Sequence, residues 1–354
     1  MAKFTLFFVH GMGQHGEHWS QKAWEAFETA YTRYDDLKDF PFEDHFDYQE
    51  VIYDHIFEQY RERWREDAAG LNGLMGISDA APALIARMAG IAERLGEDDY
   101  FTTYLLDVVM YRYLSVVAHP VQVAVAEQIA THLNAAGSAA ERKWSVVAHS
   151  LGTSVAHDTL HLMFAGGNAE IAALPRQFAP EVGLFVANVS RLLERPSLSV
   201  YQSVVRPSKR RRNGILNCYL SARHILDPFT RPKPFAPAFD WLDEPTQRLA
   251  FPAYQELVIS EVLQPDVHDL AHYLANPGVH IPLIRAHFRR RNVISDEAEH
   301  AAREAYRKKA LQGRLAALRN QLGQLNDEQQ PGVEGLIASA EHLQTLARLW
   351  EAGT

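Results

Sequence analysis

Ser150 lies at the centre of Ala148-His149-Ser150-Leu151-Gly152, a hydroxyl flanked two positions away on either side by a small residue. An apolar run, Trp144-Ser-Val-Val-Ala148, leads into it, and Leu151, Val155, Leu160 and Met163 follow at spacings that suit one face of a helix. A serine on a sharp strand-to-helix turn is raised above its sheet, and the crowded backbone of such a turn tolerates only small flanks. The helix start behind it also favours negative charge on the serine oxygen. That chemistry is nucleophilic attack, and the bland reading of the same residue is a buried helix cap. A second element, His10-Gly11-Met12-Gly13, ends another apolar run. Acyl transfer needs backbone N–H donors aimed at an oxyanion, and a glycine-containing turn after a strand can bring them close. The expected donors are the amides of Met12 and Leu151.

Gly11, Gly13 and Gly16 also carry the G-x-G-x-x-G spacing of a dinucleotide fingerprint. The residues from position 17 onward lack the apolar helix that such a fingerprint opens, so that reading is set aside.

The elements that must position these groups alternate in type. Strands are expected over Phe4 to Val9, Tyr48 to Tyr53, Trp144 to Ala148, Val182 to Val189, Ile215 to Leu220 and Leu257 to Val262, with intervals long enough for crossover helices. This alternation predicts an α/β fold with a mostly parallel sheet flanked by helices. Two segments depart from it. Residues from about 55 to 114 read as a helical insertion, with a charged stretch from Glu58 to Asp67 and an apolar series from Leu71 to Leu95. This could cap a site or simply pack as core helices. From Ser295 the composition turns to Ala, Glu, Arg, Gln and Leu. Leu311, Leu315, Leu318 and Leu322, then a break at Asn326 to Gly332, predict a C-terminal helical hairpin over 295–354. Residues 1–290 form the expected main domain.

The chain resembles the α/β-hydrolase superfamily, in particular bacterial lipase and esterase-like serine hydrolases that begin Val-His-Gly-x-Gly and carry Ala-His-Ser-Leu-Gly-Thr. The likeness covers roughly Phe4 to Phe288, and it departs at Ala148, where the elbow pattern has Gly. It implies the α/β-hydrolase fold and a triad in the order Ser, Asp, His. The acid it implies is Asp227, in Leu226-Asp227-Pro228, with Asp240 and Asp243 as competitors. The base it implies is His268, after the last expected strand, with His272 as runner-up and His280 and His287 read as packing or surface residues. Asp107 and Tyr111, ahead of the elbow, belong to the same likeness with a structural role. Because the chain opens directly on the oxyanion strand, the first strands of a larger hydrolase sheet are expected to be missing.

The activity implied is cleavage of a carboxylic ester through an acyl-enzyme, with a small-molecule or lipid ester as substrate. No cofactor or metal is expected: there is no H-E-x-x-H and no Cys/His ligand spacing. The same triad serves thioesterases, amidases and acyltransferases, and a non-catalytic scaffold that binds partners through its C-terminal helices is the alternative from another class.

Bulk properties agree with a globular, soluble, cytoplasmic protein. The 354 residues are 47% hydrophobic, enough for a full core, and the net charge of −9 gives no general attraction to nucleic acid. Two basic runs, Lys209 to Arg212 and Arg289 to Arg291, stand against that background. Converging beside the insertion, they would favour peripheral contact with anionic lipid. Cys218 is the single cysteine and reads as a buried thiol. No apolar run approaches the length that spans a bilayer, and homo-oligomers through the C-terminal helices are compatible with the pattern.

Overall fold

The computed structural model describes residues 3–13, 15–66, 107–108, 110–112, 114–135, 143–166, 168–171, 173–194, 199–208, 213–231, 233–237, 241, 253–264, 266–289 and 291–310. Six strands form one open, all-parallel sheet: β1 (Phe4–Val9), β2 (Phe46–Val51), β3 (Lys143–His149), β4 (Val182–Val186), β5 (Cys218–His224) and β6 (Tyr254–Ile259). Their order across the sheet is β2-β1-β3-β4-β5-β6. Around them are α1 (Gln21–Tyr31), α2 (Asp54–Glu66), α3 (Ser115–Ala135), α4 (Leu151–Ala165), α5 (Leu270–Ala275), α6 (Pro277–Phe288) and α7 (Asp296–Lys309). The α/β class with a parallel sheet is therefore the observed architecture.

The central strands read as nearly continuous apolar runs because both faces are covered. Phe7, Val9, Val146, Ala148 and Phe185 point to one side, where they pack with Val117, Val121 and Val125 of α3 and Leu151, Val155 and Leu160 of α4. Their alternate neighbours Leu6, Phe8, Val147, Leu184 and Val186 point to the other, against Phe27 of α1, Leu274 of α5 and Ile281 and Ile284 of α6.

The strand bounds differ from the sequence expectation where loops compete for apolar residues. Ile215 and Leu216 are fully buried, yet they pair with the loop before them: Ile215 N–H donates to Val204 O at 3.0 Å and Leu216 N–H to Arg206 O at 3.2 Å. The strand begins at Cys218 and runs through polar Ser221 and Arg223. Likewise β4 stops at Val186, because Ala187 takes a left-handed φ of 48° and turns the chain out of the sheet. The strands expected over Tyr48 to Tyr53 and Leu257 to Val262 begin two and three residues earlier, at Phe46 and Tyr254. The Leu71 to Leu95 series, the run Lys209 to Arg212, Arg290, Asp240, Asp243 and the hairpin from Leu311 onward lie outside the described residues. Among the described residues no helix is long and apolar enough to cross a membrane.

The order of strands fixes where a site can form. From β1 the chain goes to β2 on one side, and the next strand, β3, adds on the other. The carboxyl ends of β1 and β3 thus flank the switch point at which open parallel sheets bind ligands. Gly152 sets how closely α4 approaches that point: a Cβ there would lie 2.1 Å from His10 O and 2.5 Å from Val9 O. Gly152→Ala should cost at least about 2 kcal/mol in urea unfolding, whereas Gly16→Ala, with open space around its Cβ position, should stay within about 0.5 kcal/mol. Equal effects at the two positions would mean that α4 is free to move away from β1.

Candidate active site

Ser150 directly follows β3 and caps α4 with φ 54° and ψ −125°, a backbone conformation that residues with a side chain rarely adopt. The turn is over-determined by its neighbours. Ser150 N–H donates to Val186 O at 3.0 Å, and the Ser150 carbonyl accepts from Thr153 N–H at 2.9 Å and from Thr153 Oγ1 at 2.7 Å. Thr153 Oγ1 in turn accepts from Val189 N–H at 3.1 Å, which ties the loop after β4 to the same turn. Gly11 comes so close that a Cβ on it would sit 3.0 Å from Ser150 Cβ.

Asp227 follows β5 in a tight local turn: its Oδ1 accepts from Phe229 N–H two residues on, at 3.0 Å. That leaves Oδ2 for partners distant in sequence, His268 Nδ1–H at 2.8 Å and Tyr273 O–H at 3.0 Å. His268 stands between two similar turns. Its own N–H donates to Asp266 Oδ1 at 2.9 Å, and Asp269 caps α5 by accepting from Ala271 N–H at 2.9 Å. Lys22 of α1 pairs with Asp269 and anchors this loop to the helix beside it on the same face of the sheet.

Burial alone would push the Asp227 carboxyl up. The charge and hydrogen bond of His268, together with Phe229 N–H and Tyr273 O–H, outweigh it and hold Asp227 below the usual carboxylate range. For His268 burial favours the neutral ring, but the charge and hydrogen bond of Asp227 prevail, aided by Asp266 and Asp269, and its pKa is raised. With Nδ1–H committed to Asp227, the neutral ring carries its lone pair on Nε2. Asp227 has no exposure and Ser150 only 1%, so charge on either is little screened by water.

His149 joins the two halves. It directly precedes Ser150, its ring lies 4.8 Å from that of His268, and its Nε2–H donates to the His268 carbonyl at 2.6 Å. Burial, then the His268 charge, lowers its pKa to about 3, so it acts as a neutral donor.

The turn after β1 is braced from beneath. Tyr53 O–H donates to His10 O at 2.5 Å, His15 Nε2–H to Met12 O at 2.9 Å, and Gly13 N–H to Asp107 Oδ2 at 3.4 Å. Asp107 is buried against Arg61, 2.5 Å away, so the structural role expected of it is the role seen. Tyr111 is buried too, its hydroxyl donating to Asp158 Oδ2 at 3.2 Å. His10 Nε2 lies 3.4 Å from Asp54 Oδ1, but burial and His15 hold the ring well below its ordinary pKa, so the contact is not an ion pair. The amides of Met12 and Leu151 donate to nothing among the described residues. Helix α1 begins only at Gln21, and Gly16 stands in open space, which is not the helix N-terminus packed on glycines that a dinucleotide site requires.

The structure brings Asp227 and His268 into contact, links His268 to the residue before Ser150 through His149, and sets Gly11 of the turn after β1 against Ser150. The competing histidines are spent elsewhere: His272 Nε2–H donates to Glu261 O, His280 pairs with Tyr34, and His287 pairs with Ser145. Sequence reasoning missed Tyr273, Thr153 and the bridging function of His149. Tyr273 has no motif of its own. Thr153 and His149 stand inside the quoted Ala-His-Ser-Leu-Gly-Thr, where proximity to Ser150 was the available signal. Among the described residues no group of three or more His, Cys, Asp or Glu side chains is placed to hold a metal ion.

Comparison with family models, curated proteins and solved structures finds no match to this chain. Its chemistry therefore has to follow from its own geometry.

Two outcomes test the bracing. Burial raises the Asp54 carboxyl to about 7, partly opposed by His15 N–H. Between about pH 4 and pH 7 the folded protein keeps a proton that the unfolded chain releases, so this group lowers stability as pH rises through that window. Asp54→Asn should therefore gain on wild type in urea unfolding at pH 8 and lie near it at pH 4; an equal difference at both would place an ionised Asp54 in the fold. His149→Ala should cost about 1 kcal/mol by leaving the His268 carbonyl without its donor, read from the same unfolding curves.

Proposed function

We propose that this protein is a serine hydrolase of the α/β-hydrolase type that cleaves carboxylic esters. One observation carries the reading: a buried Asp227–His268 pair held by His149 beside a serine in a strained strand-to-helix turn. A strained non-glycine residue needs a surrounding structure that enforces it, and such strain concentrates where a side chain must be presented for reaction. The order Ser, Asp, His along the chain, and a glycine turn after a neighbouring strand, are the arrangement described for this group of enzymes.

In the reaction proposed, His268 Nε2 takes the Ser150 hydroxyl proton as Oγ attacks the ester carbonyl carbon. Asp227 keeps the ring oriented and stabilises the imidazolium that forms. The carbonyl oxygen, now negative, is received by the amides of Met12 and Leu151, which donate to nothing among the described residues. Collapse breaks the bond to the alcohol oxygen, which leaves with the proton from His268. Water then repeats the sequence on the acyl-enzyme, releasing the acid and restoring Ser150.

Hydrolysis of a p-nitrophenyl ester series tests this. Ser150→Ala and His268→Ala should each lower kcat/KM by about 10⁴-fold, and a fluorophosphonate should label wild type at Ser150 and not the Ser150→Ala variant. The rising limb of kcat/KM against pH should lie above the ordinary histidine value, since the base acts in its neutral form and Asp227 raises its pKa. Asp227→Asn should move that limb down as well as reduce the rate. No turnover by wild type together with no labelling of Ser150 would overturn the proposal.

A further inference from the structure

Asp227 Oδ2 accepts two hydrogen bonds from residues distant in the chain, His268 Nδ1–H at 2.8 Å and Tyr273 O–H at 3.0 Å. Oδ1 is held separately, by Phe229 N–H at 3.0 Å. Tyr273 reaches Oδ2 from α5, and its side chain is fully buried. The direction of its hydroxyl is fixed by a third group. His224 N–H, at the end of β5, donates to Tyr273 Oη at 2.8 Å, which leaves the single hydroxyl proton to point at Asp227. A donor arriving at the oxygen also polarises the hydroxyl and strengthens the bond it gives. Burial first, then the charge of Asp227, pushes the phenol well above its ordinary value, so Tyr273 stays a donor throughout the range in which a histidine titrates.

A carboxylate raises the proton affinity of an adjoining imidazole through the negative charge on the oxygen that faces it. A second donor on that same oxygen takes up part of the charge. Tyr273 therefore has two effects at Oδ2: it helps to keep Asp227 ionised away from water, and it limits how far Asp227 can raise His268. Removing the hydroxyl does not free the carboxylate to turn away, because Phe229 N–H keeps its hold on Oδ1. The other groups that face this pair are His149, His224 and His272, each kept neutral by burial, and Asp266 and Asp269 on the loop of His268, the second paired with Lys22.

Resting on the proposed ester hydrolysis, we infer that Tyr273 is a positioning residue of the triad, whose hydroxyl competes with His268 Nδ1–H for Asp227 Oδ2 and so loosens the hold of the pair on its proton. More of His268 then stands in the neutral form that can accept the Ser150 proton near neutral pH. Tyr273 acts through Asp227, and its loss has the opposite sign to the loss of Asp227 itself, since Asp227→Asn removes the charge that Tyr273 only shares.

The test follows kcat/KM for a p-nitrophenyl ester against pH, and in parallel the titration of the downfield His268 Nδ1–H proton by NMR, assigned by its loss in His268→Ala. Tyr273→Phe should displace the rising limb and the NMR titration together to higher pH, so that kcat/KM at pH 6.5 relative to pH 9 falls about threefold to tenfold, with the change in kcat and little in KM. Placing 3-fluorotyrosine at position 273 keeps the fold and makes the phenol a stronger donor, so both should move the other way. Tyr306→Phe removes a buried hydroxyl that donates to the His272 carbonyl of the same helix at 3.5 Å, and should leave both where they are. Should Tyr273→Phe fail to fold, the fluorotyrosine protein decides. Limb and titration unmoved by either change at Tyr273, or moved to lower pH by Tyr273→Phe, overturns this role and leaves the hydrolase standing. Absence of ester turnover and of fluorophosphonate labelling in wild type overturns the hydrolase and with it the role of Tyr273 in the reaction.

Discussion

The turn between β3 and α4 is the point on which the rest of the site depends. To place a serine with φ 54° above the sheet, the chain must be gripped on every side, by Val186 O, by Thr153 and by the close approach of Gly11. Gly152 makes that grip possible, since any side chain there would collide with the carbonyls of Val9 and His10. The same contact that packs α4 against β1 brings the turn after β1 alongside Ser150. Packing and presentation of the hydroxyl are thus one constraint seen from two sides.

Around that turn the fold builds charge in a dry setting. A buried carboxylate is costly unless it is paired and hydrogen-bonded, and Asp227 meets the condition with three donors from residues 229, 268 and 273. The result holds Asp227 ionised and raises His268, despite burial that acts against both charges. On the opposite flank, Asp54 and Asp107 are raised by burial, to about 7 and about 6, the latter against the pull of Arg61. The two halves differ because Asp227 accepts directly from a histidine and a tyrosine hydroxyl, whereas Asp54 leans mainly on one backbone amide and has a second carboxylate, Asp107, nearby.

Much of this was legible in the sequence for local reasons. Continuous apolar runs read as strands buried on both faces, and the alternation of strand and helix read as a parallel sheet. Ser150 stood out because a small-x-Ser-x-Gly turn is specified by residues within five positions. Strand limits were less legible. Ile215 and Leu216 are as apolar as any strand residue, but the loop at Val204 and Arg206 takes their hydrogen bonds, and Ala187 leaves the sheet through a backbone angle that no hydropathy pattern encodes.

What the sequence determined by itself, then, was the class of fold, the serine turn and the glycine turn, because each is encoded by neighbours along the chain. Asp227 and His268 were suggested by resemblance and order alone. Only the tertiary structure decided that His268, and not His272, His280 or His287, faces that carboxylate, and that His149, Tyr273 and Asp266 hold the pair in place. The physical reason is separation: Asp227 and His268 stand 41 positions apart in the chain, and His149 and His268 stand 119 apart. Contacts at that range are made by the order of strands in the sheet, which no local pattern contains.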